Sequence, residues 1–129
     1  MSRHKNILVI DDDADLLQGL GIRLISEGYR VTVAANELSA LIAVRQDPDL
    51  VLLDLGLPDG DGMRLLANLK GLQTTSEIPV IVISARDAVW EKDVLAAGAL
   101  AFFQKPVAND ELLATIALAL EGADAPIPS

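Results

Sequence analysis

Short aliphatic runs that alternate with helix-like segments are the feature that most constrains how this chain can fold. Four runs are rich in Val, Ile and Leu and a fifth is weaker, and they cover residues 7–10, 29–34, 50–53, 80–83 and 100–103. Three of them are almost continuously aliphatic, which is typical of parallel strands buried on both faces. No apolar run approaches the roughly 20 residues needed to cross a bilayer.

The segments between these runs carry aliphatic residues at helical spacing. In four of these segments the aliphatic residues fall on one face of the predicted helix, as expected for an amphipathic helix against a sheet. They are Leu17, Leu20 and Leu24 in the first; Leu38, Leu41 and Ile42 in the second; Leu66 and Leu69 in the third; and Leu113, Ile116, Ala117 and Leu120 in the last. Asn36 and Asn109 are predicted N-caps. Gly28 follows the first helix and Gly71 can end the third. The helix predicted within 86–97 has the weakest amphipathic pattern.

This alternation predicts an α/β fold, a flavodoxin-like (βα)5 three-layer sandwich with a parallel five-stranded sheet of order 2-1-3-4-5. The length of 129 residues allows one domain, which we expect to span 1–122. Residues 123–129 are rich in Pro and Ala and are predicted to be a linker or a disordered tail. In such sheets, ligands bind outside the carboxyl ends of the strands, where strands 1 and 3 meet.

Charge and cysteine content narrow the possible functions. The net charge of -9 argues against direct nucleic-acid binding by this segment, because phosphate backbones attract the opposite sign. The chain has no cysteine and no signal-peptide pattern, which favours a cytoplasmic protein without a membrane segment.

Aspartates follow the two strands that should meet at the centre of the sheet. Asp11 and Asp12 come directly after the first run, and Asp54 comes directly after the third. Two such charges 4 Å apart repel by roughly 4 kcal/mol at an effective dielectric constant of 20, so stability alone does not explain their convergence. Mg²⁺ (or Mn²⁺) prefers such oxygen ligands and would remove the repulsion. We therefore predict a divalent metal site here.

Other aspartates have simpler interpretations. Asp13 is expected to cap the first helix, and three more are expected to be solvated loop residues: Asp49, Asp59 and Asp61. The spacing of Asp11, Asp13 and Asp15 resembles an EF-hand, but the sixth and twelfth positions of that loop should be Gly and Glu. This chain has Leu and Ile there, so it is not an EF-hand.

Two polar residues lie at the ends of the last two strands. Ser84 ends the fourth, and the fifth leads to Lys105 and Pro106. A lysine provides a positive charge for a phosphoryl oxygen, and a serine provides a hydroxyl for another. Each alone is weak evidence, since a Ser after a strand is usually in a turn and Lys-Pro is usually a surface loop. Together they complete a phosphoryl-binding pattern.

These residues resemble the response-regulator receiver family of two-component systems over roughly residues 5 to 122. The resemblance lies in Ile-Asp-Asp after the first strand, Leu-Leu-Asp-Leu-Gly-Leu-Pro-Asp-Gly-Asp-Gly around Asp54, Ser84-Ala85, Gly98-Ala99 and Lys105-Pro106-Val107. It implies that Asp54 is the phosphoacceptor. It also implies that Asp11, Asp12 and Asp54 hold Mg²⁺ with the backbone carbonyl of Gly56.

The resemblance implies further roles around that centre. Lys105, Ser84 and the backbone of Ala85 would bind the phosphoryl group, and the bond before Pro106 would be cis. Ser84 and the aromatic Phe102 would form the conformational switch. The two positions that flank the entry of hydrolytic water, Gly56 and Arg86, would tune the lifetime of the phosphoryl group. Ser84 stands where Thr is commoner in the family, and Phe102 stands where Tyr is commoner.

The resemblance also implies partners. A sensor histidine kinase or a histidine phosphotransfer protein would donate the phosphoryl group. A downstream protein or an output domain would read the fourth helix, fifth strand and fifth helix. Dimerisation through the fourth and fifth helices is common in such relatives. The sequence leaves open whether the chain acts alone or belongs to a longer regulator.

Two competing functions are weaker. A phosphohydrolase of the haloacid-dehalogenase type would need a second Asp two residues after its nucleophile, where this chain has Gly56. We therefore expect a self-phosphorylating switch rather than a turnover enzyme. A P-loop switch is excluded because its glycine-rich lysine motif does not follow the first strand. A phosphorylation-independent interaction module on the same fold remains an alternative, although loss of Asp54 or Lys105 would be its usual sign.

Overall fold

Five parallel strands form at the aliphatic runs and pair into one sheet. In this computed structural model, which describes residues 4–56, 62–85 and 91–124, the strands are β1 (Asn6–Ile10), β2 (Arg30–Ala34), β3 (Leu50–Leu53), β4 (Val80–Ser84) and β5 (Ala101–Gln104). Their order in the sheet is β2-β1-β3-β4-β5. The predicted topology is confirmed.

Helices connect successive strands. They are α1 (Ala14–Ser26), α2 (Glu37–Ala43), α3 (Gly62–Gly71), α4 (Glu91–Ala96) and α5 (Asn109–Asp124), and a short 3-10 helix, Val44–Gln46, continues α2. Residues 86–90, the first part of the helix predicted within 86–97, lie outside the described residues. None of the helices in the described part of the chain is both long and apolar enough to cross a membrane.

The core consists of two aliphatic clusters, one on each face of the sheet. Side chains of α2, α3 and α4 pack on one face together with alternate strand residues such as Leu8 and Val51. Side chains of α1 and α5 pack on the other face with the intervening residues such as Ile7 and Leu52. All four residues of β3 and all five of β4 are buried. Burial on both faces explains why these runs are continuously aliphatic.

Helix α2 corrects one prediction. Leu38 and Ile42 were expected to face the core, but they are 67% and 56% exposed. Ala40 and Val44 are buried instead, and Leu41 is half-buried. Most residues of this helix are apolar, so periodicity allowed two faces. The small Ala40 side chain packs against the sheet.

Most predicted helix boundaries are confirmed. Asn36 caps α2, accepting a hydrogen bond from the Ser39 amide, and Gly28 follows α1 with φ of +95°. Helix α3 ends at Gly71 as expected. Asn109 is the first residue of α5 rather than its cap. The same helix extends to Asp124 and so includes the first two residues of the predicted tail.

Candidate functional site

Strand register brings the aspartates of β1 and β3 to one edge of the sheet. Ile10 pairs with Leu53, so the residues that follow them, Asp11 and Asp54, leave the sheet side by side. The Asp54 amide donates to the Ile10 carbonyl at 2.9 Å, and the Asp11 amide donates to the Ala34 carbonyl at 3.0 Å. The backbones of both aspartates are therefore fixed by neighbouring strands.

The three predicted metal ligands lie together. Carboxylate oxygens of Asp11, Asp12 and Asp54 all lie within 4.8 Å of one another. Asp11 and Asp54 are only 2% and 7% exposed, whereas Asp12 is exposed to solvent. Asp13 caps α1 as expected, and its amide donates to Asp11 Oδ1 at 2.9 Å. An all-oxygen, carboxylate-rich donor set with one solvent-facing member fits a hard divalent cation that keeps several waters.

Lys105 is the cation beside these carboxylates. Its Nζ lies 2.9 Å from Asp11 Oδ2 and 3.5 Å from Asp54 Oδ2. Its amide donates to the Ser84 carbonyl at 2.8 Å, which fixes the end of β5 against the end of β4. The peptide bond between Lys105 and Pro106 is cis. The ion pair with Asp11 was not among the sequence predictions, because strand-end reasoning does not determine which carboxylate a flexible lysine contacts.

Burial raises the pKa of the Asp54 carboxyl above its ordinary value. The hydrogen bond from the Gly56 amide acts in the opposite direction, the charge of Asp11 adds to the rise, and Lys105 opposes it. The Gly56 amide lies 3.1 Å from Asp54 Oδ1. The result is a carboxylate held in an unfavourable environment by the fold around it.

The pKa of the Lys105 ammonium is raised although burial acts to lower it. The hydrogen bond and charge of Asp11, followed by those of Asp54, outweigh the loss of hydration. Lys105 therefore stays cationic at neutral pH beside the two buried carboxylates.

The other predicted site residues occupy different positions. Ser84 is 1% exposed at the end of β4, and Ala85 is exposed just beyond it. Phe102 is half-buried against the cluster beneath α2, α3 and α4, whereas Phe103 packs on the opposite face. Gly56 is exposed next to Asp54. Arg86, Asp59 and Asp61 lie outside the described residues.

Two residues, Asp49 and Gly62, lie in surroundings that the sequence did not predict. Asp49 was expected to be a solvated loop residue, but it is half-buried and Oδ2 accepts a hydrogen bond from the Asn6 amide at 2.7 Å. Gly62, the last residue of the glycine-rich motif after Asp54, is buried against the backbone of Leu55. The motif itself was the only sequence signal that pointed to Gly62.

The sequence of this chain matches one protein family and several of its members. A family model described as the response regulator receiver domain matches residues 7–117. The chain is 43% identical over 116 residues to the transcriptional regulatory protein KdpE of Mycobacterium tuberculosis, covering 88% of this chain and 50% of that protein. It is 38% identical over 117 residues to the KDP operon transcriptional regulatory protein KdpE of Escherichia coli K12, covering 89% and 51%. The chain thus spans about half the length of these relatives.

Solved structures agree with these matches. A CheY-like response regulator receiver domain protein from Methanospirillum hungatei superimposes with a TM-score of 0.84 at 31% identity, covering 95% of this chain and 98% of that one. The BeF3-activated N-terminal receiver domain of Klebsiella pneumoniae RstA superimposes with a TM-score of 0.82 at 29% identity, covering 90% and 98%. The flavodoxin-like prediction is confirmed. On its fold, its matched residues and its relatives, the chain belongs to the response regulator receiver domain family.

Proposed function

We propose that this chain is a reversible switch that accepts a phosphoryl group on Asp54 in a reaction that depends on Mg²⁺ or Mn²⁺. One observation carries the proposal: two buried carboxylates, Asp11 and Asp54, converge with Asp12 to within 4.8 Å beside the ammonium of Lys105. Gathering like charges costs free energy. A bound metal ion would offset this repulsion, and phosphoryl transfer would need one of the carboxylates as its nucleophile.

The metal would be held by Asp11, Asp12 and Asp54 together with the backbone carbonyl of Gly56. When bound, it would supply positive charge that offsets the carboxylates and the oxygens of the phosphoryl group. Lys105 would bind a phosphoryl oxygen, since its ammonium already lies 3.5 Å from Asp54 Oδ2.

In the proposed reaction, a carboxylate oxygen of Asp54 attacks phosphorus. A new P–O bond forms while the P–N bond to a phosphohistidine of the donor breaks, and the electron pair leaves with the imidazole. The Gly56 amide orients the nucleophile through Oδ1. Water then cleaves the acyl phosphate, which releases inorganic phosphate and regenerates the Asp54 carboxylate. Gly56 and Arg86 are proposed to influence how fast that water enters.

The switch would act through β4 and β5. Ser84, with the backbone of Ala85, is proposed to move toward the phosphoryl group, and Phe102 to follow by swinging inward. Val82 and Phe102 are partners in the β4–β5 register, so the two strands are directly coupled. A changed face formed by α4, β5 and α5 would then be read by a downstream protein or an output domain.

The proposed donor is a sensor histidine kinase or a histidine phosphotransfer protein. The KdpE relatives are transcriptional regulators by name, and this chain corresponds to about half of each. We therefore propose that the receiver domain, expected to end near residue 122, controls an output domain or a downstream protein and does not contact nucleic acid itself. Cytoplasmic location and dimerisation through α4 and α5 remain expectations of the family resemblance.

The test is phosphorylation by acetyl phosphate with Mg²⁺, followed by intact mass measurement. We expect one metal-dependent adduct in the wild type and in Asp49→Ala, and none in Asp54→Ala. BeF3⁻, the activating group of the RstA receiver domain, should produce Mg²⁺-dependent NMR shifts at α4 and β5 in the wild type and in Asp49→Ala, and none in Asp54→Ala. If neither acetyl phosphate nor a phosphohistidine donor yields an adduct on Asp54, the proposal fails and a phosphorylation-independent module becomes the better interpretation.

A further inference from the structure

Gly62 lies unusually close to the backbone that follows Asp54. A Cβ atom at this position would lie 2.3 Å from Leu55 Cα, 2.6 Å from the Leu55 carbonyl oxygen and 2.7 Å from the carbonyl carbon. These are backbone atoms, so no side-chain rotation can relieve the clash. The Gly62 amide also donates to the Leu55 carbonyl at 3.2 Å. The absence of a side chain is therefore what allows α3 to begin at this distance.

The Leu55 residue is held from two sides. Its side chain is 1% exposed and belongs to the cluster beneath α2, α3 and α4. The first residue of α3, Gly62, lies close to its backbone and its amide donates to the Leu55 carbonyl. We call this arrangement, with Leu55 held between Gly62 and the core, the clamp; because the Leu55–Gly56 peptide contributes the Gly56 amide, the clamp restricts how that amide can move. The amide points at Asp54 Oδ1, 3.1 Å away.

We propose that Gly62 is a positioning residue for phosphoryl transfer: by closing on Leu55, it holds the Gly56 amide against Asp54 and so orients the nucleophile. The inference rests on the phosphoacceptor role proposed above for Asp54. An amide that tightens on one carboxylate oxygen leaves the side chain a single orientation toward the donor. Misplacement of a reacting group by about 1 Å can cost about 100-fold in rate.

The closest variant for a test is Gly62→Ala, with Gly71→Ala as its matched control. Gly71 ends the same helix, and a Cβ there would meet nothing within 4 Å. For Gly62→Ala we expect the maximum rate of phosphorylation by acetyl phosphate to fall about 10-fold to 100-fold. The half-saturating concentration of acetyl phosphate should change less than about twofold, because the variant removes no group that binds the donor. Gly71→Ala should leave both values unchanged.

A spectroscopic readout separates positioning from loss of stability. In the folded, metal-free protein, the amide proton of Gly56 should show the downfield shift of a bond to a carboxylate. In Gly62→Ala it should move upfield and exchange with solvent faster. A folded Gly62→Ala protein with an unchanged Gly56 amide and an unchanged maximum rate would overturn the inference.

Leu55→Ala keeps the inference testable if Gly62→Ala does not fold. This variant loosens the clamp from the core side without a backbone clash, and Leu66→Ala removes a comparable buried side chain from α3. We expect only Leu55→Ala to shift the Gly56 amide, and equal shifts in both variants would overturn the inference. Failure of the wild type to be phosphorylated would refute the proposed function, whereas the Gly56 signal in metal-free protein tests the clamp independently.

Discussion

Asp49 and Asp54 stand immediately before and immediately after the same central strand, β3, yet the fold treats their charges differently. Asp49, at the amino end, is half-buried and accepts a hydrogen bond of 2.7 Å from the Asn6 amide on the neighbouring strand. Asp54, at the carboxyl end, is buried beside Asp11, and burial raises its pKa. One carboxylate connects two strands, whereas the other is held where its charge is unfavourable.

The difference shows how the two ends of a strand in a parallel sheet give an acidic residue different surroundings. At the amino end, a backbone amide stabilises the carboxylate, so the charge contributes to the fold. At the carboxyl end, one lysine serves two buried carboxylates at once. Functional sites commonly retain such unfavourable electrostatics because binding needs them. We therefore expect Asp49 to contribute more to stability than Asp54 in the metal-free protein.

The largest expected effect comes from removing the cation that the two buried carboxylates share. Lys105→Met should lower the rate of phosphoryl uptake by about 100-fold or more, because a fixed positive charge at the phosphoryl oxygens is lost. Without metal, it should also lower the free energy of unfolding by about 3 kcal/mol, since Asp11 and Asp54 remain buried without a counter-charge. Urea unfolding in EDTA and in Mg²⁺ measures the change in stability, and Mg²⁺ should restore part of the lost free energy of unfolding.

Lys92→Met serves as the control for that experiment, because Lys92 is exposed on α4. It should change neither the rate nor the midpoint of unfolding appreciably. Equal stability of Lys105→Met and the wild type in EDTA would mean that the buried carboxylates do not repel, and the contrast with Asp49 would disappear.

A smaller effect is expected at the amino end of β3. Asp49→Ala should lower the free energy of unfolding by about 1–2 kcal/mol, because the Asn6 amide loses a charged acceptor. Asp49→Asn keeps an acceptor oxygen and should lose less. Urea denaturation curves compared at equal m-value would measure both. A drop in the rate of phosphorylation in either variant would contradict the purely structural role assigned to Asp49.

The smallest expected effect is an increase in the free energy of unfolding in Asp54→Asn, and its size depends on pH. Because the pKa of Asp54 is raised in the folded protein, the folded state binds a proton more tightly than the unfolded state does. The stability of the wild type should therefore fall as pH rises from the ordinary carboxyl range through the raised pKa. Asp54→Asn avoids this loss and should stabilise the metal-free protein at neutral pH by about 1 kcal/mol.

The pH series provides its own control. Below the ordinary carboxyl pKa of about 3.9, both states of the wild type are protonated and the advantage of Asp54→Asn should vanish. Thermal unfolding between about pH 3 and pH 8, with a chelator present, would show the trend. A wild type that is more stable than Asp54→Asn at neutral pH without metal would refute the idea that Asp54 is held unfavourably.

Much of this protein could be predicted from its sequence because its strongest signals are local. Continuously aliphatic runs of four or five residues are compatible with few structures. Their alternation with helices and the rule of right-handed crossovers left few strand orders, and the common one among them is observed. Since parallel strands end at one edge, the positions of Asp11, Asp54, Ser84 and Lys105 along the chain predicted that they lie at the same edge of the sheet. Only their chemistry had then to be inferred.

What the tertiary structure alone decided depends on distances between parts of the chain that periodicity does not relate. Apolar spacing could not choose which face of α2 packs on the sheet, and the structure buries Ala40 rather than Leu38. It also pairs Lys105 with Asp11, gives Asp49 a partner on β1 and closes Gly62 on Leu55. Each of these depends on contacts of a few ångströms between separate elements, which close packing determines and a one-dimensional pattern does not encode.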